Sequence, residues 1–478
     1  MAVADTGDRV DMTTGSVTPR LFKLAWPLVA GNLIQTAYNL ADIFWVGRVS
    51  AEAVAAVALM FPTSWMFVSV AMGLTAAANA VVSQHIGAGN ERAAQRAVGQ
   101  TILLAVAVAT ALAIAGYLAR RPLLALIGAD GTVFRIAVAY IEVIFLAIPF
   151  TFLFFVFRAV LRAAGDTKTA MWLVAVSAGL NIIIDPVFIL GWGPVPAMGA
   201  RGAAVATLLA RIVAAAAGIY ILLDGGWGIH LRVSDLMPDR DVLRRLVAVG
   251  YPATFDGLAR SVAAVAFAGL VARFGAIPTA AYGIGLRYMS VSWTVSGAVG
   301  QAAATGVGQN LGARTPDRAA EVTWKGTGAT MAVLFAVGGL LFAFPAEAMG
   351  IFIDDPAVVA EGVTFLRVIA PFLAFLGGLM VVQGGFRGAG DTRVAFVLSL
   401  LSRWVFRIPV AFLLAYTLAW EAYGLWWSLS LSGILSFFVG VVWFLLGNWE
   451  DDVVNEGGRE TTVEASDSAE GSEEPTVE

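Results

Sequence analysis

Two carboxylates stand inside long apolar stretches of this chain, and each has polar neighbours at helical spacing. Asp42 closes the run Gln35-Thr36-Ala37-Tyr38-Asn39-Leu40-Ala41-Asp42, in which Gln35, Tyr38 and Asp42 follow an i, i+3, i+7 pattern along one helical face. Asn181 and Asp185 are four residues apart, hence one turn above each other, and Pro186 beside them removes a backbone donor. A charged side chain in an apolar spanning helix costs at least roughly 2.5–3.5 kcal/mol, so each acid calls for a partner or a task. Asp42 lies five residues before Gly47 and Asp185 six before Gly191, the expected ends of their helices. At 1.5 Å per residue both sit about 7–9 Å inside those ends, and Thr207, six residues into the next helix, reaches a similar depth. Carboxylate, amide, hydroxyl and phenol oxygens suit Na⁺, held above all by Asp42 and Asp185, while two neighbouring carboxylates suit a proton relay. A buried hydrogen-bond network that only pins helices together uses the same residue types.

The elements that position these residues follow from composition. With 59% hydrophobic residues, 13% charged residues and a mean hydropathy of +0.80, the chain departs from the roughly 45–50% apolar and 25% charged make-up of soluble domains. Its apolar residues fall in runs near the roughly 20 needed to span hydrocarbon. Division at glycine, proline and charge clusters predicts an all-α polytopic membrane protein with twelve spans, near 20–47, 54–83, 97–118, 133–157, 169–191, 201–223, 246–273, 277–309, 324–344, 360–384, 394–418 and 424–446. There is no cysteine, and His85 and His230 are far apart, which leaves no visible thiolate or histidine metal site.

An internal repeat organises the spans. Arg162-Ala-Ala-Gly165-Asp166-Thr167-Lys168 recurs as Arg387-Gly-Ala-Gly390-Asp391-Thr392-Arg393 at an offset of 225, which also places Pro27 on Pro252, Gln84 on Gln309 and Gly87 on Gly312. The Gly-Asp-Thr pair reads as a cytoplasmic turn that caps the following helix. Six helices per repeat make the halves parallel, related by an axis along the membrane normal. Residues 20–223 then form an N-terminal lobe, 224–245 a cytoplasmic linker and 246–446 a C-terminal lobe, with 1–19 as a cytoplasmic N-terminal segment. Even-numbered connections carry 14 Lys and Arg against 6 in the odd ones, so both termini are expected in the cytoplasm and the chain in the cell membrane. Residues 448–478 hold eleven acids and one arginine, and 447–478 reads as a disordered acidic tail.

Twelve helices in two parallel lobes, Leu161-Arg162-x-x-Gly165-Asp166-Thr167-Lys168 after the fourth helix, and Ala25-Trp26-Pro27-Leu28 in the first together resemble the multidrug and toxic compound extrusion (MATE) family over roughly residues 15–446. The resemblance implies a secondary antiporter, driven by H⁺ or Na⁺, that exports organic compounds, cationic or amphipathic, by alternating access. Family members with a cation site in the N-terminal lobe use an Asp in the first helix, an Asn and an Asp one turn apart in the fifth and a Thr in the sixth. These map onto Asp42, Asn181, Asp185 and Thr207, with Tyr38 in the same network and Pro27 as a bend point. No cofactor and no nucleic-acid partner are expected, only a small organic substrate and the bilayer, with the chain acting as a monomer.

Other charges qualify this reading. Glu142 in the fourth helix is expected to pair with Arg211 in the sixth as a structural ion pair. Asp256 and Arg260 stand at i, i+4 and neutralise one another, while Arg287, Arg367, Arg403 and Arg407 leave the second lobe rich in positive charge. A flippase for lipid-linked saccharides of the same broad superfamily favours such a cationic cavity and is the competing reading. Arg158 would weaken nearby cation binding if it reaches the cavity rather than extending to the cytoplasm. No nucleophile–base pair, metal cluster or phosphate loop suggests an enzyme or direct use of ATP.

Overall fold

The computed structural model describes residues 9–126, 130–225, 230–447 and 449–450. Twelve long helices account for most of them: α1 (Val17–Gly47), α2 (Ala51–Gly87), α3 (Glu91–Leu126), α4 (Gly131–Ala163), α5 (Thr167–Leu190), α6 (Ala200–Asp224), α7 (Arg240–Ala272), α8 (Ala276–Gly312), α9 (Pro316–Ala343), α10 (Pro356–Ala389), α11 (Thr392–Thr417) and α12 (Glu421–Leu446). Ten of them are long and apolar enough to cross a membrane, all except α1 and α8. Each span expected from sequence falls on one of these helices. Several run one or two turns further, as α3 does, because their ends are amphipathic rather than apolar. A short helix, Pro345–Gly350, lies in the connection from α9 to α10. The expected tail lies almost wholly outside the described residues, as do 1–8 and part of the linker.

The repeated turn forms for a local reason. Gly165 and Gly390 end α4 and α10 with φ of +82° and +88°, a left-handed conformation that glycine adopts without penalty. The next residue starts the following helix: an Asp166 carboxylate oxygen accepts from the Thr169 N–H at 2.9 Å, and Asp391 accepts from Val394 N–H at 3.1 Å.

The first helix of each lobe begins against the opposite lobe. Val17, Leu21, Leu24, Ala25 and Leu28 of α1 pack in one apolar cluster with α8 and α10. Three residues on, Gly31 meets Met171 and Val174 of α5, so the crossing back to its own lobe follows directly on the buried Pro27. The counterpart α7 places Leu246 and Val249 in the core of the N-terminal lobe and Phe267 and Val271 in that of the C-terminal lobe.

At the end of the molecule where the chain starts, the lobes meet in a symmetric seam. Gln84 Nε2 donates to the Gly388 and Ala389 carbonyls at 3.2 and 3.1 Å, and Gln309 Nε2 donates to the Ala163 carbonyl at 3.1 Å, the same contact displaced by the repeat offset. The Asn79 amide donates to Thr305 Oγ1 at 3.0 Å one turn deeper. Residues 9–16 lie across this seam. Val10 N–H donates to the Gly165 carbonyl at 3.1 Å, the fully buried Met12 donates its N–H to Gln309 Oε1 at 3.0 Å, and Arg318 donates to the Met12 carbonyl at 2.8 Å.

Candidate functional site

The polar face of α1 meets α5 and α6 in the half of the N-terminal lobe far from the seam. Tyr38 Oη and Thr207 Oγ1 are 3.2 Å apart, which ties α1 to α6. The Asn181 amide satisfies both of its neighbours when its nitrogen faces Asp185, 2.8 and 2.9 Å from the two carboxylate oxygens, and its oxygen accepts from the Thr207 N–H at 3.1 Å. Asp185 is fully buried and Asn181 nearly so, while one Asp42 oxygen is buried without a hydrogen-bond partner. Asp42 and Asp185 lie within electrostatic range of each other, and both act on Tyr38. The structure thus brings together Tyr38, Asp42, Asn181, Asp185 and Thr207, with Gln35 lining an adjoining cleft beside Tyr38, Asn181 and Arg211.

No Lys or Arg among the described residues lies within ion-pair distance of either carboxylate. Arg211 borders the network, where it lines the same cleft, donates to Ser177 Oγ at 3.2 Å and stacks over Phe154 at 4.2 Å. Two carboxylates, an amide and a hydroxyl supply the hard oxygen donors that Na⁺ takes, and the unpartnered Asp42 oxygen fits such a ligand or a proton. Among the described residues no group of three or more His, Cys, Asp and Glu forms a transition-metal site.

Three features differ from the sequence reading or were missed by it. Glu142 pairs with Arg120 of α3, Nε to Oε1 at 2.8 Å, and not with Arg211, because it faces α3 while Arg211 turns to α5 and the Phe154 ring. Tyr140 of α4 faces the same carboxylates, within electrostatic range of Asp42 and Asp185; a single tyrosine in an apolar helix carries no spacing signal that could have revealed it. Asp256 is bound twice, by Arg260 at 2.6 Å and by Arg387 at 3.0 Å, both on the same carboxylate oxygen. Arg387 comes from another helix and was invisible to an i, i+4 argument. Arg158 is buried with its guanidinium 5.3 Å from the Phe154 ring centre, so it stays within the protein rather than extending to the surface.

Twelve long helices in two repeated lobes, ten of them apolar enough to span a membrane, with ionisable groups held in the interior, give the fold of a polytopic membrane protein; the family and its relatives make it a transporter. The chain belongs to the MatE family, whose model matches residues 27–187 and 252–413, one copy in each lobe. It is 28% identical over 438 residues to a probable multidrug resistance protein NorM of Thermotoga maritima, covering 92% of this chain and 94% of that one. It is 30% identical to a probable multidrug resistance protein NorM of Geobacillus kaustophilus, covering 89% and 95%. A FAD transporter of Shewanella oneidensis is 28% identical over 65% of this chain and 69% of its own. Among solved structures, an outward-facing MATE family transporter of the MOP superfamily superposes with a TM-score of 0.85 at 23% identity, covering 92% of this chain and 98% of that chain.

Proposed function

We propose that the chain is a secondary exporter of amphipathic organic compounds, driven by H⁺ or Na⁺ entering at Asp42 and Asp185. The observation that carries this reading is the convergence of Tyr38, Asp42, Asn181, Asp185 and Thr207 from three helices, with no ion-paired base among the described residues. Occupation of that site by a cation removes the repulsion between two carboxylates and favours whichever arrangement of α1 brings them closest. A ligand shifts an equilibrium only by its differential affinity for the two states, and a site shared by α1 and α5 supplies that difference because α1 also packs on the opposite lobe. With both termini in the cytoplasm of a cell-membrane protein, the seam at Gln84 and Gln309 closes the cytoplasmic side, and the molecule faces outward.

The test is efflux of fluorescent amphipaths from proteoliposomes under a pH gradient and a Na⁺ gradient imposed separately, with Asp42→Asn and Asp185→Asn alongside. Transport by wild-type protein under one gradient and its loss in both variants at equal protein density supports the reading. Undiminished gradient-driven transport by both variants removes the carboxylates from the mechanism. The Arg-rich C-terminal lobe favours a second reading, a flippase for lipid-linked saccharides, which predicts movement of a lipid-linked phosphate without either gradient.

A further inference from the structure

In the C-terminal lobe the positions that correspond to the carboxylate cluster hold no acid, and guanidiniums lie beside them. At the repeat offset of 225, Asp42 corresponds to Phe267, Asp185 to Val410 and Thr207 to Ser432. Ser432 Oγ accepts from Arg407 Nε at 3.2 Å, so a guanidinium occupies the neighbourhood that holds acids in the other lobe. The charged groups acting on Arg403, one turn away on α11, are Arg260, Arg407, Arg387 and Asp256: three further guanidiniums and one carboxylate. That carboxylate is already shared, since Asp256 takes both Arg260 and Arg387 on a single oxygen while its other oxygen has no partner. Among the described residues Arg403 hydrogen-bonds only the Ser399 carbonyl, at 3.5 Å.

Depth turns the four arginines into a ladder. The Thr392 hydroxyl donates to the Val249 carbonyl at 2.6 Å, which sets α7 and α11 level at the repeated turn. Counting along the helices at 1.5 Å per residue, Arg387 lies about 8 Å below that turn, Arg260 and Arg403 about 16 Å, and Arg407 about 22 Å. In a hydrocarbon core about 30 Å thick the ladder reaches the midplane. Four guanidiniums with one carboxylate leave a surplus of positive charge in a place where each isolated charge costs at least roughly 2.5–3.5 kcal/mol. The Arg260 and Arg387 side chains remain 28% and 25% exposed, so this edge of the cluster is open to a ligand.

From this arrangement we infer that Arg260, Arg387, Arg403 and Arg407 form an anion site that takes the phosphate group of an amphipathic organic substrate. The inference rests on the proposed export function and narrows its substrate class. A guanidinium's planar fork matches phosphate oxygens in bidentate fashion. Arg403 and Arg407, two cations one turn apart without a carboxylate of their own, match the charge of a phosphate dianion better than that of a carboxylate monoanion. Asp256 holds Arg260 and Arg387 in place when the site is vacant and competes with the incoming anion.

Binding to the purified full-length protein tests this without any gradient, so the result stands whether or not Asp42 and Asp185 couple transport. Flavin mononucleotide is compared with riboflavin, and dodecyl phosphate with 1-dodecanol; each pair differs only in the phosphate. The expected result is at least tenfold tighter binding of one phosphate-bearing probe than of its neutral counterpart, with competition by inorganic phosphate. Arg403→Gln and Arg407→Gln should each remove that preference, Arg403→Lys should retain part of it, and Asp256→Asn should strengthen binding. Selective binding of flavin mononucleotide assigns the site to soluble organic phosphates, and selective binding of dodecyl phosphate assigns it to phosphate-bearing lipids. Equal affinity for both members of each pair, or an unchanged preference in folded Arg403→Gln and Arg407→Gln proteins, overturns the proposal.

Discussion

Replacing Gly87 by alanine should prise the seam apart, and the size of the effect follows from the geometry. A Cβ at Gly87 falls 1.9 Å from the Gln309 backbone carbonyl oxygen, and one at Gly312 falls 1.9 Å from the Gln84 carbonyl oxygen. Ordinary contact begins at about 3.4 Å, so one lobe has to retreat by roughly 1.5 Å at this end, and a backbone atom cannot step aside as a flexible side chain would. The Gln84 bonds of 3.2 and 3.1 Å and the Gln309 bond of 3.1 Å then pass beyond hydrogen-bonding range. At about 0.5–1.5 kcal/mol net each, three lost bonds disfavour the closed seam by on the order of 2–4 kcal/mol. About 2.7 kcal/mol takes a 99:1 preference to parity. The chain has no cysteine, so spin labels go directly onto Glu91→Cys and Asp317→Cys, exposed positions on opposite lobes beside the seam. Gly87→Ala should move the label-to-label distances to longer, broader values and slow efflux by holding back closure. Unaltered distances together with wild-type efflux in the folded variant would show that the seam yields freely and that the close approach of the two glycines is incidental.

Three further outcomes follow from named contacts. Thr207→Val removes the hydroxyl that faces Tyr38 at 3.2 Å, and efflux under a limiting gradient should fall by roughly fivefold, the order of one hydrogen bond; a proteoliposome assay at graded ΔpH or Na⁺ reads it. Glu142→Gln should lower thermal stability by no more than about 1 kcal/mol and leave efflux intact, because the Arg120–Glu142 pair is partly exposed, at 19% and 31%, and stands apart from the carboxylate cluster; thermal unfolding of the detergent-solubilised protein measures the first and the efflux assay the second. Arg318→Gln should release residues 9–16 from α9 by removing donors to the Met12 and Gly15 carbonyls, and raise protease sensitivity of the N-terminal segment in mass-spectrometric peptide maps.

Much of the architecture was legible because the bilayer permits few solutions. Long apolar runs have to be helices that satisfy their own backbone, and the offset of 225 between the Gly-Asp-Thr turns gave the two lobes and their parallel sense before any contact was known. The cluster at Asp42 was legible for the same reason: an acid with a tyrosine one turn before it, and an asparagine one turn before another acid, are rare enough in apolar helices to stand out. The ion pairs were less legible. Arg260 was found because it shares a helix with Asp256. Arg387, Arg120 and Tyr140 reach their targets from other helices, and sequence separation says nothing about which face of a helix turns toward which neighbour.

The crossing of α1 and α7 shows why the two lobes need not act alike although they share one design. Each first helix is anchored by its early turns in the opposite lobe and by its later turns in its own, and Pro27 and Pro252 occupy corresponding places in these two helices. A rearrangement of α1 beyond Pro27 moves Tyr38 and Asp42 relative to Asn181, Asp185 and Thr207, because those residues lie on helices that do not cross. The same movement in α7 carries Asp256 and Arg260 relative to Arg387 and Arg403. One mechanical plan therefore acts on acids in one lobe and on guanidiniums in the other. The two lobes share the seam at Gln84 and Gln309. On the proposed reading, cation entry at the acids and anion release at the arginines would be opposite faces of a single motion, with the repeat supplying the geometry and the side chains of each lobe supplying the sign.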